Sequence, residues 1–315
     1  MAKIARIRIA GIDRTAFVRD DEVFVVDGDL DVVGVVALPK SERDALEATA
    51  LAAPGSPVAE TEFLAPVQPP AMRDFLSFQS HVDAMEKSAG APGVPEEWFD
   101  QPVFLFMAPH AVTGPYDDVK TVPGTECLDF ELEIAALIAR DVHNVYPEQA
   151  HDAIGGYLVM NDWSARDIQG KEMKLRLGPS KGKDFATTIG PWVVTADELE
   201  PHRNSEGFLD LRMTVSVNGV QLAEDSSANM GWTFEELVSH GSRYSWVKAG
   251  EVLGSGTCAY GALSEPWART GSLTPPPLRP GDVVEMTIEG IGTIRNRVVE
   301  NTDDVPPVPR GRRRF

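Results

Sequence analysis

From about residue 100 onward this chain is broken into apolar runs of strand length: "PVFLFMA", "GYLVMND", "PWVVTA", "DLRMTVSVNG", "DVVEMTIEG" and "GTIRNRVV". Short runs rich in β-branched and aromatic residues, bounded by turn residues, read as strands. Asn218-Gly219 and Glu289-Gly290 separate alternating segments, as in antiparallel hairpins. Helical patterns do not alternate regularly with these runs, which argues against a doubly wound parallel sheet. The expected fold class is α+β, rich in mixed or antiparallel sheet. At 315 residues, 43% of them hydrophobic, one large domain, or a large one with a small companion, can bury its core.

The first residues, "MAKIARIRIAGID", set Ala5, Ile7 and Ile9 against Arg6 and Arg8 at period two, so they predict a first strand and lack the apolar stretch of a signal peptide. The run "FVVDGDLDVVGVVAL" reads as further strand, and "SERDALEATALAA" as a helix capped by Ser41. Three prolines in "LAPVQPPAM" then break the pattern, which places a boundary between a small N-terminal domain, residues 1–65, and a large one, residues 66–315. No run reaches the roughly 18 apolar residues of a membrane span. A net charge of −19 repels phosphate backbones and anionic headgroups, which excludes nucleic acid and membrane as main partners. The basic end "RGRRRF" reads as a solvated tail. Cys127 and Cys258 lie far apart without metal-type spacing, so two reduced thiols in a cytoplasmic protein are expected.

Four stretches carry residues suited to chemistry. In "ECLDFELEI", a strand would turn Asp129, Glu131 and Glu133 to one face, with Glu131 and Glu133 about 6 to 7 Å apart. Carboxylates brought that close repel, take up a proton or share a cation, and oxygen-only ligands select Mg²⁺, Mn²⁺ or Ca²⁺; a solvent face accounts for the same pattern. In "RDFLSFQSHVDAMEKSAGAPG", Phe75, Phe78, Val82 and Met85 fall at helical spacing, which puts Asp74, Ser77 and His81 on another stripe of one helix. That stripe suits an acid and a base facing each other across a substrate, or a surface histidine on an amphipathic helix. In "GYLVMNDWSARDIQGKE", Asp162 reads as a helix cap with Arg166 and Gln169 on its face. The stretch "LGPSKGKDFATTIGPWVV" misses the phosphate-loop spacing and has Asp184 where a Ser or Thr is required, so nucleotide binding is rejected. Lys183 and Thr187 read instead as polar groups at a strand mouth, where a lysine stabilises an enolate by its charge.

Taken in order, an Asp seven residues before a His, the Glu-x-Glu, "MNDWSARDIQ", "GKDFATTIGPWVV" and "RPGDVVEMTIEGIGTIRNRVV" resemble the fumarylacetoacetate hydrolase family over about residues 70 to 300. The resemblance implies that family's α+β fold, a mixed-sheet, roll- or barrel-like catalytic domain with a small N-terminal domain, usually as a homodimer. It implies Asp74, Glu131, Glu133 and Asp162 as ligands of one divalent cation, Mg²⁺ before Mn²⁺ or Ca²⁺. It also implies His81 as general base, Arg166, Gln169 and Lys183 as contacts to substrate or oxyanion, Thr187 as a neighbour of the metal site and Thr257 in "GSGTCAYG" as a substrate-binding threonine. Some members orient the histidine with a glutamate three residues later, where this chain has Ala84. Others use a glutamate after the Gly-Thr segment, for which Glu265 is the loose candidate.

The function so implied is metal-dependent hydrolysis of a C–C bond in a small 1,3-dicarbonyl or acylpyruvate-type acid. Decarboxylation, hydration or isomerisation of a 2-oxo acid at the same site is the alternative, and a catalytically silent cation-binding protein the third. The Gly/Pro-rich "SAGAPGVPEEWFDQP" is expected to act as a lid ordered by ligand.

Overall fold

The computed structural model describes residues 2–312; the last three residues of the basic tail lie outside the described residues. The expected α+β class is what the chain forms. Its largest layer is a mixed sheet of twelve strands. Strand Leu132–Ile138 runs through the middle with every residue buried, as a strand covered on both faces must be. On one side it pairs with Ile154–Asp162, then Thr187–Thr195, then the N-terminal Lys3–Ile9. On the other it pairs with Val252–Gly254, then Met72–Phe75, then Phe104–Met107. A second sheet of five strands holds the alternating runs Arg212–Val217, Val283–Ile288 and Gly292–Val299. Its half-buried alternation, clearest in Val283–Ile288, is that of a sheet with one face on the core. Neither sheet closes into a barrel.

The hairpin at Asn218-Gly219 forms as expected, with both residues at positive φ, 53° and 79°, the primed turn that matches strand twist. The N-terminal strands are not a separate layer: Lys3 and Ile4 pair with Val194 and Val193, so they extend the main sheet.

Three local expectations are corrected. Residues Val32–Val36 form a helix, started by Asp31, whose carboxylate accepts from the Gly34 amide at 2.7 Å; a local cap outweighs the β-preference of four valines. Helix Lys40–Leu51 begins after Pro39 without a side-chain cap, leaving Ser41 inside it. The stretch read as one helix around Asp74 and His81 is two elements, strand Met72–Phe75 and helix Gln79–Ser88. Phe75, Phe78 and Val82 are all buried, so the spacing marked the core without marking a single helix. The expected lid is pinned at its far end, where buried Trp98 donates to the Leu76 carbonyl at 2.7 Å and packs on Trp232.

Candidate metal centre and active site

Sheet register brings two acids together and a side-chain contact adds a third. Gly254 pairs with Ala135 on one side and with Asp74 on the other. A Cβ at Gly254 would sit 2.7 Å from Glu133 Oε2 and 3.0 Å from Asp74 Oδ1, so only glycine leaves room for both carboxylates. One residue beyond Ser255, the Gly256 amide donates to Glu133 Oε2 at 3.1 Å. Glu131 lies just ahead of strand Leu132–Ile138, fixed by its amide, which donates to Asn161 Oδ1 at 3.0 Å. Carboxylate oxygens of Asp74, Glu131 and Glu133 all lie within 4.8 Å of one another.

Asp162 ends its strand and does not cap the following helix, which starts at Arg166 after Ala165 with no side-chain cap. Its amide is held by the Glu131 carbonyl at 3.2 Å, and Thr187 pairs with it from the next strand. Asp162 is outside the set of three within 4.8 Å and joins it through Lys183, whose ammonium donates to Asp162 Oδ2 at 2.5 Å and also to Glu131. Arg166 donates to Glu131 Oε1 at 2.7 Å, to Asp129 Oδ2 at 2.8 Å and to Gln169 Oε1 at 3.1 Å. Gln169 reaches the cluster by way of Arg166. Thr257 is buried and directly follows Gly256, whose amide holds Glu133.

His81, buried on helix Gln79–Ser88, meets Glu265 from helix Ser264–Thr270, with His81 Nδ1 2.9 Å from Glu265 Oε1. Glu265 is fully buried, and it, not a residue three positions after His81, orients the ring. A second residue went unassigned in the sequence. Asp129, also fully buried, accepts from the Leu263 and Ser264 amides at 2.8 and 3.0 Å as well as from Arg166. It thereby ties the start of the Glu265 helix to the side chain that holds Glu131. The only sequence signal for it was its place on the face of Glu131 and Glu133.

The electrostatics split the acids in two. Burial raises Glu131, but Lys183 and Arg166 outweigh it and hold that carboxyl below its usual range. Burial, compounded by Asp74, pushes Glu133 well above the usual carboxylate range, and burial likewise lifts Asp162. Asp74 is pushed up to about 6, chiefly by burial. Burial would lower Lys183, yet Asp162 and Glu131 raise it, so it stays an ammonium at neutral pH. Asp74 Oδ1, Glu133 Oε1 and Asp162 Oδ1 are buried without any hydrogen-bond partner. Buried polar atoms are normally satisfied, and orphaned oxygens on Asp74 and Glu133, two of the three acids within 4.8 Å of one another, fit a hard divalent cation.

A pH dependence follows. A carboxyl with a folded-state value above its unfolded one favours the fold below the unfolded value and loses that contribution as pH rises through the folded value. For Asp74 the window runs from 3.8 to about 6, so the metal-free protein is weakened above it. Bound cation removes that penalty, so the rise in Tm on adding Mn²⁺ should be larger at pH 8 than at pH 5. An equal rise at both would contradict this.

A family profile described as "Fumarylacetoacetate (FAA) hydrolase C-terminal" matches residues 71–299. Oxaloacetate tautomerase YisK of Bacillus subtilis is 28% identical over 244 residues, covering 76% of this chain and 74% of that protein. A 2,4-didehydro-3-deoxy-L-rhamnonate hydrolase of Sphingomonas sp. is 28% identical over 226 residues, 71% of each chain. Among solved structures, a fumarylacetoacetate hydrolase from Exiguobacterium antarcticum superposes with a TM-score of 0.73 at 24% identity, covering 96% of this chain and 100% of that one. Among the described residues, no helix is long and apolar enough to cross a membrane. With its fold matched and the profile spanning both the acid cluster and the His81–Glu265 pair, this chain belongs to the fumarylacetoacetate hydrolase family.

Proposed function

We propose that this chain is a divalent-metal-dependent hydrolase that cleaves the C–C bond of a small 2,4-dioxo acid of the acylpyruvate type. The observation that carries the reading is the buried His81–Glu265 pair, linked to the acid cluster through Asp129, which holds both the amides at the start of the Glu265 helix and the Arg166 that binds Glu131. A histidine held at Nδ1 by a carboxylate is arranged to take a proton at its other nitrogen.

Asp74, Glu131, Glu133 and Asp162 would hold the cation, Mg²⁺ or Mn²⁺ by their oxygen-only donor set. When bound, it supplies Lewis-acid polarisation of the 2-oxo acid end of the substrate. His81 accepts a proton from water as that water adds to C4, and Glu265 fixes the ring and steadies the imidazolium. The C3–C4 bond breaks with its electron pair moving toward C2, and Lys183 stabilises the developing enolate by about 3 kcal/mol. Protonation at C3 completes a 2-oxo acid and a carboxylic acid. Support for the cation also comes from a likeness: a maleylpyruvate hydrolase of Sphingobium sp. SYK-6, solved with manganese(II) and pyruvate, matches the fold with a TM-score of 0.71 at 20% identity, covering 95% of this chain and 100% of that one.

The similarity to an oxaloacetate tautomerase favours a second reading, enolisation without bond cleavage at the same site. Supplying 2,4-dioxopentanoate and oxaloacetate separately, each with Mn²⁺, separates the two. Hydrolysis predicts stoichiometric pyruvate and acetate by NMR, abolished by chelator. Rapid oxaloacetate tautomerisation with no acetate from the dioxo acid would replace the first reading by the second.

A further inference from the structure

Strand Phe104–Met107 lies antiparallel to the strand that carries Asp74, with Leu105 opposite Asp74, Phe106 opposite Arg73 and Met107 opposite Met72. Directly opposed residues of an antiparallel pair share a face. Leu105 and Met107 therefore stand on the Asp74 side, while Phe106 turns to the other, where the Arg73 guanidinium lies 5.5 Å from its ring. Met107 packs against the core cluster that contains Met72, in agreement with that assignment.

A cavity of about 270 Å³ opens between residues 105–108 and, across from them, Pro179, Ser180, Lys183 and Asp184. Lys183 belongs to this wall and to the acid cluster alike, so the cavity starts where the carboxylates end. Its charges are already committed. The Lys183 ammonium faces Glu131 and Asp162, and Asp184 is paired with Lys181 at 2.9 Å. Among the residues lining the cavity there is no further cation, and Leu105 and Met107 supply apolar surface next to the reacting centre.

We propose that this cavity receives the acyl tail of the substrate and selects an uncharged, apolar tail over one that ends in a second carboxylate. The proposal rests on the hydrolytic reading above and narrows its substrate class. A dioxo acid held by its 2-oxo acid end at the carboxylate cluster sends its tail past Lys183 toward Leu105 and Met107. A terminal carboxylate there gives up its hydration without gaining a free cation, and it approaches Asp184. A methylene placed there gains about fourfold in kcat/KM from removal of apolar surface from water.

The test uses Mn²⁺-loaded enzyme with 2,4-dioxopentanoate, 2,4-dioxoheptanoate, 2,4-dioxooctanoate and 2,4-dioxooctanedioate. The expected kcat/KM rises roughly fourfold per methylene until the cavity is full, and the dioate falls at least about tenfold below the monoacid of the same carbon chain. Calorimetric affinities of the same four acids for the Mn²⁺-loaded His81→Ala variant, which does not turn them over appreciably, should follow the same order. Leu105→Arg, or Met107→Lys if the first variant does not fold, should reverse the preference in favour of the dioate. A dioate equal to or better than the octanoate in the unaltered enzyme, or no dependence on chain length, overturns the proposal. If none of the four is cleaved, the hydrolytic reading fails by itself, and the order of affinities still decides the role of the cavity.

Discussion

Glu133→Gln is expected to lower hydrolysis by about 10² to 10³-fold and to abolish the rise in Tm on adding Mn²⁺, while the metal-free protein becomes more stable than its parent. The two effects have opposite signs because Glu133 is an electrostatic liability without a cation. It is fully buried, one of its oxygens has no partner, and burial together with Asp74 drives its carboxyl well above the usual range. Glutamine keeps the acceptor for the Gly256 amide and offers an N–H toward Asp74, so it copies the protonated acid. Removing a buried charge that lacks its counter-ion typically stabilises by about 1–3 kcal/mol. The catalytic loss follows from the weakened cation: a few kcal/mol of transition-state stabilisation is about 10² to 10³-fold in rate, and each 1.36 kcal/mol is tenfold. Thermal unfolding with and without Mn²⁺, beside steady-state rates, checks both halves. A destabilised metal-free variant, or one that still responds to Mn²⁺, would show that Glu133 serves packing and not a cation.

The residue types for this chemistry were legible in the chain, but their assembly was only partly so. Glu-x-Glu was read as two positions of one strand, but the strand starts at Leu132, so it places only Glu133, while Glu131 is fixed by the contact of its amide with Asn161. Asp74 and His81 were read as one stripe of a single helix and lie instead on a strand and a helix, because the buried Phe75, Phe78 and Val82 keep a helical spacing across the break between the two elements. The Asp162 cap failed for a similar reason: strand Ile154–Asp162 takes Asp162 into its last register position, and a short strand, Ser164–Ala165, separates it from the helix. Local pattern does not say where a buried strand stops. Gly254 had no signal beyond being one glycine of "GSGTCAYG", since the need for it arises only where two neighbouring strands converge. The pairing of His81 with Glu265 spans 184 positions and depends on two helices packing together, which no window of sequence contains.

That pairing yields the most discriminating experiment on mechanism. His81→Ala should reduce kcat for hydrolysis by about 10³-fold, within the range expected for loss of a general base. Glu265→Gln should reduce it by about 10²-fold although Glu265 is fully buried behind the ring, because an amide can donate to Nδ1 as well as accept from it and so ceases to specify the ring tautomer. Neither residue belongs to the group of acids within 4.8 Å of one another, so the Mn²⁺-dependent rise in Tm should be unchanged in both variants. The double variant should be no slower than His81→Ala alone, since residues that act as a unit are not additive. Independent losses, multiplying to about 10⁵-fold, would mean that Glu265 works through the fold and not through the ring. Asp129 makes this a sharp distinction. It holds the amides of Leu263 and Ser264 at the start of the Glu265 helix, and also Arg166, so a structural failure in that helix would propagate to Glu131 and disturb the Mn²⁺ response as well. An unchanged Mn²⁺ response together with a non-additive double variant therefore assigns the loss to proton transfer by His81.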